Sequence, residues 1–160
     1  LALNIPAGGL ANISTVDTSI LNEDNEGNYR SKEHLVMEGR DVFTFTQTVV
    51  IEFLERFSKE YASITPDKYF FHQANLFILD RIRKKLKVKR EVVPTDVITK
   101  YGNSSAATIP MAMVESFKDE GLGELSSYFM LAGFGVGLSW GGVFAKIDSL
   151  EFCDLIELEV

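Results

Sequence analysis

The sequence predicts a layered α/β fold closed at its C-terminal end by a β-hairpin. Three observations carry that prediction. Tyr69-Phe70-Phe71 is a short apolar run followed closely by a helical stripe of Ile78, Ile82 and Leu86, which is the strand-then-helix alternation of α/β layers. Upstream, Phe45, Val49, Phe53 and Phe57 recur every four positions, as on one face of an amphipathic helix. Two further apolar runs, 128–132 and 138–144, are joined by Gly133-Phe134-Gly135-Val136-Gly137, the spacing of two strands that turn back on each other.

Taken in order, Leu1-Ala2-Leu3-Asn4-Ile5 reads as a strand entered partway along, with a turn at Pro6-Ala7-Gly8-Gly9. Together with the lack of an initial Met, this fits an excised domain, and processing would give the same start. Residues 17–35, with Asn22, Asn25, Gly27 and Asn28, predict a long exposed loop. A helix follows from Gly39, its apolar stripe broadened by Val42, Val50 and Leu54. The strand 69–71 ends at His72, and Asn75 is a good N-cap for the next helix. Val92, Val93, Val97 and Ile98 mark one or two short extended pieces around Pro94. In YGNSSAATIPMAMVESFKDEG, small residues lead into an apolar helix with an acidic end, and Pro110 suits its first turn. The tail after Lys146 has five carboxylates and no base, and reads as a terminal strand plus an exposed end.

Composition narrows the function classes. With 160 residues and 46% hydrophobic content, the chain can bury one sizeable core. The single cysteine, Cys153, excludes an intrachain disulfide or a thiolate-rich metal cluster and favours a cytoplasmic setting. No run reaches the roughly 18 to 20 apolar residues of a membrane span, and no basic segment opens a signal peptide. The net charge of −7 is uneven: RIRKKLKVKR (81–90) holds seven of the sixteen basic residues and no acidic one. That asymmetry suits an anionic partner steered to one spot. Nucleic acid is disfavoured, because the patch is small and lacks aromatic–basic alternation.

Few residues are candidates for chemistry. His72 follows a strand, where α/β folds place ligands, and there an imidazole can donate to a carbonyl or accept a proton; the other reading is structural. His34, in a polar loop, reads as a bystander. Asn103, in YGNSS, is either a turn residue or N-cap, or a carboxamide donor aimed at a developing oxyanion. Gly133, Gly135 and Gly137 form either an ordinary hairpin turn or a close approach of main-chain N–H groups to a substrate. They are not a dinucleotide fingerprint, since a strand and no helix follows them. Acidic neighbours would raise the pKa of Cys153 and argue against a nucleophile there. His34 and His72 are too far apart in sequence for a metal motif.

At these residues a resemblance enters. FHQANLFILDRIRKKL (71–86), YGNSSAATIP (101–110) and LAGFGVGLSWGG (131–142) resemble, in order, three blocks of the β-ketoacyl-acyl-carrier-protein synthase III family. IPAGG (5–9) and MEGRDVFTFT (37–46) are similar to two weaker upstream blocks. The resemblance implies one half of a thiolase-like pair of α/β halves, with a mixed five-stranded sheet and usually a homodimer. It makes residues 1–146 the C-terminal catalytic half and 147–160 an acidic extension. The acyl-accepting Cys belongs to the N-terminal half of such enzymes, which this stretch does not contain.

The resemblance also implies roles. His72 and Asn103 bind the malonyl thioester carbonyl and support decarboxylation, and the Gly135–Val136 backbone supplies an oxyanion N–H. Lys84 and Lys85, with Arg81 and Arg83, form the rim that meets the acyl carrier protein or CoA. Asn75 caps its helix. The substrates are acyl-CoA and malonyl-acyl-carrier-protein in fatty acid biosynthesis, with no cofactor. Phe77 departs from the pattern, since many relatives have Arg after HQANL, and Lys87 replaces the Gly common after KKL. Two alternatives stand beside a condensing enzyme. One is a thiolase-fold acyltransferase of specialised metabolism. The other makes the isolated 160 residues an inactive structural or interaction domain.

Overall fold

A computed structural model describes residues 2–118, 126–149 and 156. Cys153 and most of the acidic stretch 147–160 lie outside the described residues. The chain divides into two compact units, Leu1–Phe45 with Gly135–Ser139, and Thr46–Phe134 with Trp140–Val160.

In the first unit, β1 (Leu3–Asn4) pairs antiparallel with β4 (Val36–Met37), Leu3 opposite Met37. Between them the expected exposed loop is organised. Thr15 and Thr18 form a capping box that starts α1 (Val16–Ser19). The Glu33 carboxylate accepts from the hydroxyls of Ser14 and Thr18, each at 2.6 Å. β2 (Asn22–Glu23) and β3 (Tyr29–Arg30) then make a small antiparallel hairpin. The Asp24 carboxylate accepts from the backbone N–H groups of Glu26 and Asn28 inside its turn. The expectation of an open loop fails because short hydroxyl, amide and carboxylate side chains satisfy the backbone locally. α2 (Gly39–Gln47) begins in this unit.

In the second unit, α3 (Val49–Glu60) buries Val50, Ile51 and Leu54. Phe53 and Phe57 lie half-buried and stacked, centroids 5.5 Å apart. The expected single stripe is thus split at Thr48 into two helices. β5 (Lys68–Phe71) runs parallel to β6 (Ser127–Gly135), Lys68 opposite Phe129 and Phe71 opposite Ala132. β7 (Ser139–Ile147) lines the other edge of β6, so the hairpin expected from the glycine-rich turn is present. Asp67 and Tyr128 pin the entrance of the parallel pair reciprocally: the Asp67 N–H donates to the Tyr128 carbonyl, and the Tyr128 N–H to the Asp67 carboxylate, both at 2.8 Å. At the exit, the His72 N–H donates to the Ala132 carbonyl at 2.9 Å.

Phe70 and Phe71 are fully buried. Removing such a ring from water is worth roughly 1.5–3 kcal/mol, so a four-residue strand holds its place. Phe70 meets Phe117 and Phe129 in a cluster with Val97 and Ala112, which come from α5 (Asp96–Lys100) and α6 (Thr108–Phe117). α4 (Leu76–Leu86) buries Ile78, Leu79 and Ile82, and the Asn75 side chain caps it by accepting from the Ile78 N–H at 2.9 Å.

Two expectations need correction. Around Pro94 the chain is not extended: Arg90–Val92 is a 3-10 turn and Asp96–Lys100 is helical. Pro94 keeps Val93 out of the helical region, at φ −119° and ψ 89°, which ends the 3-10 turn, and α5 starts two residues after Pro94 with Asp96 favourably placed in its first turn. Nor is there a five-stranded sheet among the described residues. Three strands, in the order β5-β6-β7, form one sheet, and the rest make two separate two-stranded pairs. The stretch 92–98 that could have added a strand is spent on helices, and β1 and β4 pair with each other. Among the described residues no helix is long and apolar enough to cross a membrane.

Candidate active site

His72 leaves the end of β5 half-buried, anchored by its backbone bond to Ala132. Its ring meets two side chains. Phe134, two residues further along β6, stands edge-on with centroids 5.4 Å apart at 84°. The Thr108 hydroxyl lies 2.8 Å from the imidazole Nδ1. Burial pushes the His72 pKa below its ordinary 6.5, while hydrogen bonding to the Ser105 carbonyl acts in the opposite direction.

Thr108 is fully buried at the first turn of α6 and joins three groups. Besides His72, its oxygen accepts from the Gln73 N–H at 3.2 Å, and its hydroxyl donates to the Ser105 carbonyl at 2.9 Å. Gln73 is buried as well, and its amide donates to the carbonyls of Phe71 and Pro94. Those two bonds tie the strand end to the loop around Pro94.

Asn103 is exposed. Its Oδ1 accepts from the Ser105 N–H at 3.0 Å, the Asx geometry of a turn residue. With the oxygen so engaged, the carboxamide presents its NH₂ end as a donor. The turn and donor readings therefore describe opposite ends of one side chain. Ser105 links the two candidates, binding Asn103 through its N–H and Thr108 through its carbonyl. It does so at φ +52°, a left-handed conformation that L residues seldom adopt.

Gly135 ends β6, and Val136 opens the hairpin turn with its side chain exposed. The Val136 carbonyl accepts from the Ser139 hydroxyl at 2.7 Å. This turn belongs with the unit of Leu1–Phe45.

The four basic residues share α4 but not one environment. The Arg81 guanidinium donates to the Gln47 side chain and lies 5.6 Å from the Phe77 ring centroid, a cation–π contact. Arg83 and Lys84 both pair with Asp80, at 2.7 and 2.6 Å. Hydrogen bonds from Lys84 first and Arg83 second hold the Asp80 carboxyl down to about 2. Lys85 is exposed and makes no ion pair among the described residues. Arg83 and Arg90 also line an open groove of about 230 Å³ with Leu76, Leu79 and Val93. Among the described residues no three His, Cys, Asp or Glu side chains stand together as metal ligands would.

Sequence reasoning missed Thr108, Ser105, Gln73 and Phe134 as partners of the candidate pair. A hydroxyl residue five positions after Asn103, at the start of an apolar helix, was the available signal for Thr108.

Comparison with known proteins agrees with the motifs. Residues 60–147 match the family model described as 3-oxoacyl-[acyl-carrier-protein (ACP)] synthase III C terminal. A β-ketoacyl-[acyl-carrier-protein] synthase III of Streptococcus thermophilus is 31% identical over 142 residues, covering 88% of this chain and 43% of the relative. The enzyme of that name from Clostridium perfringens is 36% identical over 129 residues, covering 76% and 38%. The crystal structure of a 3-oxoacyl-(acyl-carrier protein) synthase from Burkholderia xenovorans superposes with a TM-score of 0.78 at 32% identity, covering 98% of this chain and 43% of that one. The chain thus spans less than half the length of these relatives. Motif order, α/β architecture and family match agree, and the chain belongs to the 3-oxoacyl-[acyl-carrier-protein] synthase III family as its C-terminal region.

Proposed function

We propose that this chain is the C-terminal catalytic half of an acyltransferase that condenses an acyl thioester with malonyl-acyl-carrier-protein, losing carbon dioxide, in fatty acid biosynthesis. The observation that carries the reading is the hydrogen-bonded chain from His72 through Thr108 and Ser105 to Asn103. It links the imidazole at the end of β5 to the loop that carries the carboxamide. When the malonyl carboxylate leaves, the electron pair of the broken C–C bond moves onto the thioester as an enolate. Its oxygen is negative, and His72 and Asn103 are the groups that hold it. Loss of one such donor typically costs about 10²–10³ in kcat. The enolate carbon then attacks an acyl group carried on a Cys of the other half, whose thiolate leaves, while the Gly135–Val136 backbone serves the oxyanion of that second step.

On this reading the 160 residues alone complete no condensation, because the acyl-accepting thiol belongs to the other half. The parent works as a homodimer in the cytoplasm and meets the acidic carrier protein, or CoA, at α4. The test uses the full-length parent. Replacing His72 by Ala should suppress malonyl-dependent condensation and leave acyl loading of the Cys largely intact; equal loss of both contradicts the assigned role.

A further inference from the structure

We propose that Thr108 is a positioning residue that fixes which nitrogen of the neutral His72 ring carries the proton: Nδ1 is protonated and Nε2 is bare. The Thr108 hydroxyl owns a single hydrogen and two lone pairs. Its three neighbours are the Gln73 N–H, which only donates, the Ser105 carbonyl, which only accepts, and His72 Nδ1, which does either.

Only two arrangements are available. In one, the hydroxyl hydrogen goes to Ser105 and both lone pairs are filled, by Gln73 N–H and His72 Nδ1–H. That makes three hydrogen bonds. In the other, the hydrogen turns to a bare Nδ1, and the Ser105 carbonyl keeps only the N–H of Thr108. That makes two. Thr108 is wholly buried, so its hydroxyl finds its partners within the protein. The first arrangement wins by one hydrogen bond made within the protein.

The catalytic consequence rests on the condensation reading, whereas the tautomer does not. With Nε2 bare, the neutral ring offers a lone pair to a substrate oxygen and no donor. His72 reaches an enolate oxygen as a donor only after Nε2 takes a proton from solvent. The negative charge created by decarboxylation favours that charged form.

The test is a two-bond ¹H–¹⁵N imidazole correlation spectrum of the chain labelled with ¹⁵N-histidine, at a pH where both rings are neutral. His34, the other of two histidines, serves as the internal reference. His72 should show the Nδ1–H pattern, Thr108→Ser should keep it, and Thr108→Val should move the ring to Nε2–H. An Nε2–H pattern in the wild type, or Nδ1–H persisting in Thr108→Val, overturns the proposal. If Thr108→Val does not fold, the wild type and Thr108→Ser decide, and Nε2–H in either overturns it. Condensation unaffected by loss of His72 would sink the functional reading and leave the tautomer standing.

Discussion

The backbone N–H of Ser105 donates to Asn103 Oδ1 at 3.0 Å, so the same residue that tightens the turn also aims the opposite end of its carboxamide. Asn103→Asp and Asn103→Ala separate these two duties. Asp keeps the acceptor and loses the NH₂ donor. It should leave stability within about 0.5 kcal/mol, the ordinary range for an exposed site, and, on the condensation proposed above, should lower malonyl-dependent kcat of the parent by about 10²–10³. Ala should lose both. Urea melts and condensation assays on the two variants check the separation.

The His72 pKa lies below 6.5, with burial as the larger cause. Because the folded value is depressed, the neutral ring's contribution to stability is complete above pH 6.5 and is lost as pH falls towards the folded value. Phe134 shields the ring edge-on. Phe134→Ala should therefore raise the His72 midpoint towards 6.5, which an NMR titration reads directly. An unchanged midpoint would assign the shift to other neighbours.

Lys87 closes α4 at φ +57°, its N–H directed at the carbonyls of Arg83 and Lys84. That left-handed position suits Gly. Lys87→Gly relieves the Cβ strain at a smaller entropic cost and should stabilise the chain by about 0.5–1 kcal/mol. A shift of the urea midpoint at unchanged slope is the measurement.

Gly142 on β7 leaves little room for a side chain. A Cβ there would meet Phe57 at 3.1 Å, the Leu131 carbonyl at 3.2 Å and Phe53 at 3.2 Å. Gly142→Ala should destabilise by about 1–3 kcal/mol through overpacking. Adding Phe53→Leu should recover part of that loss in a double-mutant cycle.

Asp80 occupies Arg83 and Lys84 together. If α4 receives an acidic carrier protein, Asp80→Asn should lower the KM for carrier-linked substrate, and charge reversal at Lys84 and Lys85 should raise it. Neither should alter KM for a CoA substrate to the same degree. Equal responses would remove the docking assignment.

The parts of the fold legible in the sequence were those with a one-dimensional signature. Tyr69-Phe70-Phe71 could only be a buried strand, Asn75 carried its helix cap in its own side chain, and the glycine-rich turn announced the hairpin. The stretch around Pro94 misled because its valines suit a strand, while Val97 is buried from a helix against Phe70. The small hairpin at 22–30 escaped notice because its bonds run from short polar side chains that equally suit an open loop. At the site, His72 and Asn103 were visible as residue types in a motif. Thr108 was marked only by its place at the start of an apolar helix, because two of its three partners lie 35 and 36 positions away.

The parallel register of β5 and β6 works as a ruler. Four residues on β5, Lys68–Phe71, separate the reciprocal Asp67–Tyr128 clasp from the rung between His72 and Ala132. Slippage by one pleat repeat would keep every side chain on its face, yet carry the imidazole about 6 to 7 Å along the strand, away from Phe134 and Thr108. An error at the clasp would therefore reappear at the far end as a misplaced ring, with the surrounding core still dry and intact.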